Sequence, residues 1–238
     1  MDKPKNWCSL CKPSVTWLAA VCLLFSLPAF AQQDSAMLDK RFEFRDGVYL
    51  TFEELQNNTP AYSWKELDTK LASSSSGASA QAEYIIVRAS GDTLSKEGLW
   101  GISLNGLPYI CLQDQGAGST AMRFASLKVR GRLCLFTFET EKKEWVEIAA
   151  YNPLTGKPFR KGKVSKEVQV THEFLLDFTT GEIQPFKKNN LLQLIKEDHQ
   201  LWRTVNELSE DEADDKLYRC LLIYDDRNPI YLPLNNND

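Results

Sequence analysis

Histidine is nearly absent from this chain: His172 and His199 are the two it has. An imidazole-based metal centre would need both, with carboxylates beside them. Their settings do not favour that. His172 falls on the apolar face of a strand-like run, and His199 follows Glu197-Asp198 where a helix starts, the place where carboxylates meet the positive dipole end. After residue 31 there is no HExxH, no pair of CxxC motifs and no calcium loop. The reading therefore holds no metal and no cofactor. A Gly-x-Ser-x-Gly elbow is also missing, and no local pattern joins a cysteine to either histidine as a nucleophilic dyad. A basic stripe is missing too, and the formal charge is −4, which argues against nucleic acid as a partner. Glycine (12) and proline (10) are too sparse for a collagen-like or low-complexity chain.

What is present is ordinary globular material, 43% hydrophobic and 25% charged over 238 residues, enough for one sizeable domain. The first 31 residues read as a secretory signal peptide. Lys3, Lys5 and Lys12 precede an apolar run from Trp17 to Leu27, Pro28 breaks it, and Ala29-Phe30-Ala31 supplies small residues for cleavage after Ala31. The run is about half of the ~20 residues that a spanning helix requires, so an uncleaved anchor is disfavoured. A lipobox at Cys22 would want a small residue where Val21 stands. After cleavage the net charge becomes −6, since the leader removes Lys3, Lys5 and Lys12 against Asp2. No transmembrane segment is expected beyond it. The expected location is periplasmic or extracellular, with outer-membrane association left open.

Leader cleavage also removes Cys8, Cys11 and Cys22, leaving Cys111, Cys134 and Cys220. An odd number leaves at least one thiol free. Cys111 and Cys134 both lie in strand-like runs and are a candidate disulfide if those strands are neighbours. The alternative is that all three are small buried hydrophobes.

The predicted order is a disordered arm over 32–41, then one α+β domain over 42–238. Thr51 with Glu54 is a capping box that starts a short helix. Residues 73–82 are a Ser-rich loop. From Glu83 to Asp177 the signal is β, with short strands parted by turn residues, including Asn105-Gly106 as a hairpin turn. This predicts an antiparallel meander, sandwich or partial barrel. Leu133–Glu139 and Glu144–Tyr151 read as separate strands. Val168, Val170, His172, Phe174, Leu176 and Phe178 form one face of a strand, predicted to point into the core. C-terminal helices follow: two broken near Asp198 and a third opening at Ser209, whose Glu212 completes a second capping box. Ile230–Leu232 is a last strand.

Three further patterns invite chemistry. Gly116-x-Gly118-x-x-Ala121 matches a loose dinucleotide fingerprint, but a strand rather than a helix follows it, so a hairpin loop is the better reading. Paired carboxylates could hydrolyse glycosides if held ~5–9 Å apart. The acidic run Glu210, Asp211, Glu212, Asp214 and Asp215 opens a helix and reads as its solvated first turn. Of the four tryptophans outside the leader, Trp100 and Trp202 are expected in the core. Trp64, in a polar context, is expected to be the most exposed and a candidate ligand or partner contact.

Several strings carry a resemblance. They are 46–60, Leu99-Trp100-Gly101 with Leu107-Pro108-Tyr109-Ile110, Gly131 to Phe136, Phe174 to Gly181, and Tyr224 to Leu232. Together they resemble an uncharacterised family of small exported proteins from Bacteroidota-type bacteria, over roughly 42–232. The family has no established activity or catalytic residues to carry over. The resemblance implies a cell-envelope or secreted setting and makes Asp34-Ser35-Ala36 and Asp92-Thr93-Leu94 candidate O-glycosylation sequences. The expectation is a non-enzymatic binding or interaction module of the envelope, with an envelope protein or a glycan as partner. The alternative is a carbohydrate-active or other hydrolase using dispersed carboxylates.

Overall fold

The computed structural model describes residues 34–113, 121–151, 153–156 and 158–234, with only the backbone at 150, 159, 160 and 210–215. The leader, its cysteines and Gly116 and Gly118 lie outside the described residues. The described body belongs to one compact unit beginning at Asp34.

The chain is α+β, with a curled antiparallel sheet and helices late in the sequence. Among the described residues nine strands join: β2 (Gly47–Tyr49), β3 (Leu67–Ser73), β4 (Ser79–Val87), β5 (Gly101–Leu104), β6 (Leu107–Cys111), β7 (Met122–Val129), β8 (Leu133–Tyr151), β9 (Pro158–Asp177) and β10 (Ile183–Pro185). The order along the main path is β10-β9-β8-β7-β6-β5-β2.

The sheet branches at β7. Phe124 and Ala125 pair with Cys111 and Ile110 of β6 on one edge and with Ala80 and Ser79 of β4 on the other. The second edge passes from β4, opposite Met122–Ala125, to β8, opposite Leu127 and Val129. Because β4 already occupies that edge, β8 loses β7 as a neighbour beyond Phe136.

Local signals account for much of this. Asn105 and Gly106 take the left-handed conformation (φ 52° and 73°) and turn β5 into β6. The Asp46 carboxylate accepts the N–H of Gly106 at 2.9 Å and the Ser103 hydroxyl at 3.2 Å, tying the start of β2 to that hairpin. The Thr51 capping box forms and starts α1 (Phe52–Gln56). Three helices close the chain: α2 (Lys188–Leu194), α3 (His199–Glu207) and α4 (Glu210–Arg227). Asp198 caps α3, accepting the N–H of Leu201 at 2.9 Å. Ser209 stands at the cap of α4.

The roots of β8 and β9 are covered on both faces. Cys134, Phe136 and Leu176 face one cluster with Phe42, Phe44, Tyr49 and Phe178. Leu133, Leu135 and Leu175 face the late helices through Leu191, Ile195, Val205, Leu221 and Tyr224. A third cluster lies under the other branch, around Ile85, Ile102, Met122 and Phe124.

Four expectations are corrected. The stretch 32–41 is not wholly disordered, because Ser35–Met37 (β1) pairs with Tyr231–Pro233 (β11) and Leu38 is buried. A three-residue strand made by a partner 194 to 198 positions away leaves little local pattern. The Ser-rich loop is shorter than predicted: Ser79 to Ala82 belong to β4, with Ala80 and Ala82 buried. Leu133–Glu139 and Glu144–Tyr151 are one continuous strand. Cys111 and Cys134 are free and buried. They lie on β6 and β8, which β7 separates, so no neighbouring-strand disulfide can form.

Candidate interaction surface

Past the point where β4 displaces it, β8 pairs only with β9. The register runs from Thr137↔Glu173 to Tyr151↔Pro158. Beyond Phe138 this two-stranded ribbon is roughly 40 Å long at ~3.3 Å per residue. Both its outer edges are unpaired among the described residues.

The root of the ribbon is held by stacked rings. Phe136 lies on Phe174, Phe174 on Phe138 and Phe138 on His172, at centroid separations of 5.7, 5.5 and 5.2 Å. Thr140 Oγ1 and His172 Nε2 share a hydrogen bond of 2.8 Å. Arg123 Nη2 donates to the Glu139 carbonyl at 3.0 Å, fastening β7 to the departing strand. Beside the rings is a small apolar hollow of about 170 Å³, lined by Ile110, Leu112, Phe138 and Ile183.

Further out, alternation sorts the side chains onto two faces. Val146, Ile148, Val164, Val168 and Val170 share the face that Phe136 and Phe174 present at the root. Glu139, Glu141, Lys143, Glu147, Lys161, Lys163 and Glu167 share the other, with Trp145 among them. Lys143 and Glu167 pair across the strands at 3.7 Å. Such exposed pairs contribute about 0–1 kcal/mol.

The ribbon's large apolar side chains are open to solvent: Trp145 is 70% exposed, Ile148 54%, Tyr151 61% and Leu154 94%. The row from Val168 to Phe178 was predicted to face the core. Leu176 and Phe178 do so, but Val168, Val170 and His172 lie on the ribbon, only half-buried. The alternation holds along the strand, but what covers it is set elsewhere in the chain.

The tryptophans rank differently from the expectation. Trp145 is the most exposed, at 70% against 38% for Trp202, which is itself exposed rather than core. Trp64 is half-buried, with its indole N–H donating to the Ser103 carbonyl at 2.9 Å. It lines an open cleft of about 920 Å³ with Glu43, Arg45, Asp46, Lys65 and Glu66. Ser63 donates to Glu66 through its N–H and hydroxyl, both at 2.8 Å, which holds that carboxyl below its usual range.

A carboxyl with a buried oxygen lies at the foot of the ribbon. Asp225 of α4 accepts the N–H of Leu133 at 2.8 Å. Burial pushes its pKa up to about 7. Two sequence strings that carried the family resemblance, Gly131–Phe136 and Tyr224–Leu232, therefore meet here. The side chains of the acidic run at 210–215 lie outside the description. Among the described residues no group of three or more His, Cys, Asp or Glu is placed to hold a metal ion, and no helix is long and apolar enough to cross a membrane. Compared with known proteins, the chain matches no family model, no curated protein and no solved structure.

Proposed function

We propose that this chain is an exported cell-envelope protein that works by contact rather than by catalysis, and that the β8–β9 ribbon is its contact element. The observation that carries the reading is the exposure of Trp145, Ile148, Tyr151 and Leu154 on a two-stranded ribbon far from the core. An isolated pair of strands is marginal in water, and clustered exposed apolar side chains mark interaction surfaces. The body supplies the complementary half of the argument. It clamps the root of the ribbon on both faces, so the far end is presented by a rigid base. Export rests on the leader-like sequence of residues 1–31, and the envelope setting on the family resemblance. We further read the branched sheet of the body as a partial barrel, because β7 carries β4, β6 and β8 together.

The hydrolase reading has the cleft around Trp64 in its favour. Two of its three carboxylates are already engaged, however. Asp46 holds the β5–β6 turn, and Glu66, held low by Ser63, is shifted away from what a proton donor near neutral pH needs.

A photo-crosslinking residue at Leu154, with a second at exposed Lys70 as control, tests the proposal in the native envelope. Adducts from position 154 and none from position 70 are expected. Equal labelling from both positions would overturn the assignment of the ribbon.

A further inference from the structure

We infer that the occupant of the ribbon's tip is the surface of a bilayer carrying anionic lipid; this rests on the reading of the ribbon as the contact element. Three observations point there.

Charge is the first. Between Trp145 and Lys166 the sequence holds five basic residues, Lys157, Arg160, Lys161, Lys163 and Lys166, against Glu147 alone, in a chain whose formal charge is −4. Positive charge is thus concentrated in one short stretch of an acidic protein. An anionic surface attracts such a stretch and repels the remainder.

The second is the kind and direction of the apolar side chains. Trp145 projects from the same face as Lys161 and Lys163, while Val146, Ile148 and Val164 project from the opposite face, and Leu154 caps the turn. A groove on a protein partner covers one face of a ribbon. A fluid interface surrounds a tip on every side, and it is where tryptophan and tyrosine rings with one wet end settle.

Depth is the third. On the apolar face Glu144 and Lys166 follow directly behind Val146 and Val164. The uninterrupted row is only a few residues long, against the ~9–11 residues per strand that crossing requires. Unpaired strand edges are also excluded from the hydrocarbon core. The tip therefore seats among the headgroups, with the lysines toward the phosphates.

The test is vesicle co-sedimentation of the chain from residue 32 onward, whose described part is a compact unit with its own core. The probes are phosphatidylcholine vesicles with and without phosphatidylglycerol. Binding at least about tenfold tighter to the anionic vesicles, and weakened by salt, is expected. Leu154→Asp and the pair Lys161→Glu with Lys163→Glu should each lower it by about tenfold. All three side chains are exposed, so unchanged thermal melting will show that the body is intact. Binding that ignores anionic lipid, or that both variants retain, overturns the inference. If vesicles fail while Leu154 still crosslinks to a protein, or to a second copy of the chain, the lipid surface is wrong and the contact reading stands. If neither vesicles nor crosslinks appear, both fall together.

Discussion

The Asp225 carboxylate accepts the backbone N–H of Leu133 at 2.8 Å, while its other oxygen is buried without a hydrogen-bond partner. Leu133 is the first residue of β8, so this contact fastens the foot of the ribbon to the last helix. Among the described residues it is also the least comfortable polar group, because a buried carboxylate oxygen without a donor favours the neutral form.

Stability should accordingly depend on this group between about pH 4 and pH 7. Burial raises its folded-state pKa from 3.8 to about 7. The folded chain therefore holds the proton more tightly than the unfolded chain. The stabilisation is complete below about pH 4 and is lost as pH rises through about 7. Asp225→Asn, which mimics the neutral form, should match the wild type at low pH and be the more stable of the two at pH 8. Thermal melts of both across this range check it, and parallel curves contradict it.

Gly131 faces the same carboxyl. A Cβ there would stand 2.5 Å from Cγ of Asp225 and 2.6 Å from its buried oxygen. Gly131→Ala should destabilise by ~1–3 kcal/mol, as overpacking does. In an Asp225→Ala background part of that loss should vanish, because Cγ and the buried oxygen are gone and only the Cβ at 2.9 Å remains in the way. Urea unfolding of the four proteins measures the coupling, and additive losses would exclude it.

The three cysteines among the described residues should behave as buried apolar groups. Cys111, Cys134 and Cys220 are all buried and free. Burial pushes the Cys111 thiol up to about 11 and raises Cys134 as well, so little thiolate exists at neutral pH. A thiol reagent should label none of the three in the folded chain and all of them in denaturant. Rapid labelling of native Cys134 would show that the root of the ribbon opens.

The body should fold without the ribbon. Thr140 and Val170 face each other in register, so an Asn-Gly turn can replace everything between them. Among the described residues, none beyond Phe138 on β8 or before Phe174 on β9 belongs to a core cluster. The shortened chain should unfold within about 1 kcal/mol of the full one, as changes away from core contacts do. A collapse of stability on this deletion would mean the ribbon is structural.

Particular residues show what the sequence could and could not reveal. Thr51, Asp198 and Ser209 marked three helix starts, because a cap is chemistry between residues a turn apart. Asn105-Gly106 marked its hairpin for the same reason. The ribbon was not visible as such. Lys142 and Lys143 fall between Leu133–Glu139 and Glu144–Tyr151, which read as separate strands, and Val168 to Phe178 reads as a core strand. Whether such a face is covered depends on β4 taking the edge of β7, a pairing between residues some 40 positions apart. The polar residues around Trp64 point to it rather than to Trp145, because local composition does not show what lies against a side chain. The Ser103 carbonyl that ties down Trp64 lies far along the chain.

The central claim is that the ribbon makes the contact. Fractionating native envelopes from cells that carry either the full chain or the Asn-Gly shortened chain tests it most directly. The account predicts that the full chain remains with its envelope partner or surface, while the shortened chain, still folded, is released. Identical retention of both would contradict it and return attention to the cleft around Trp64.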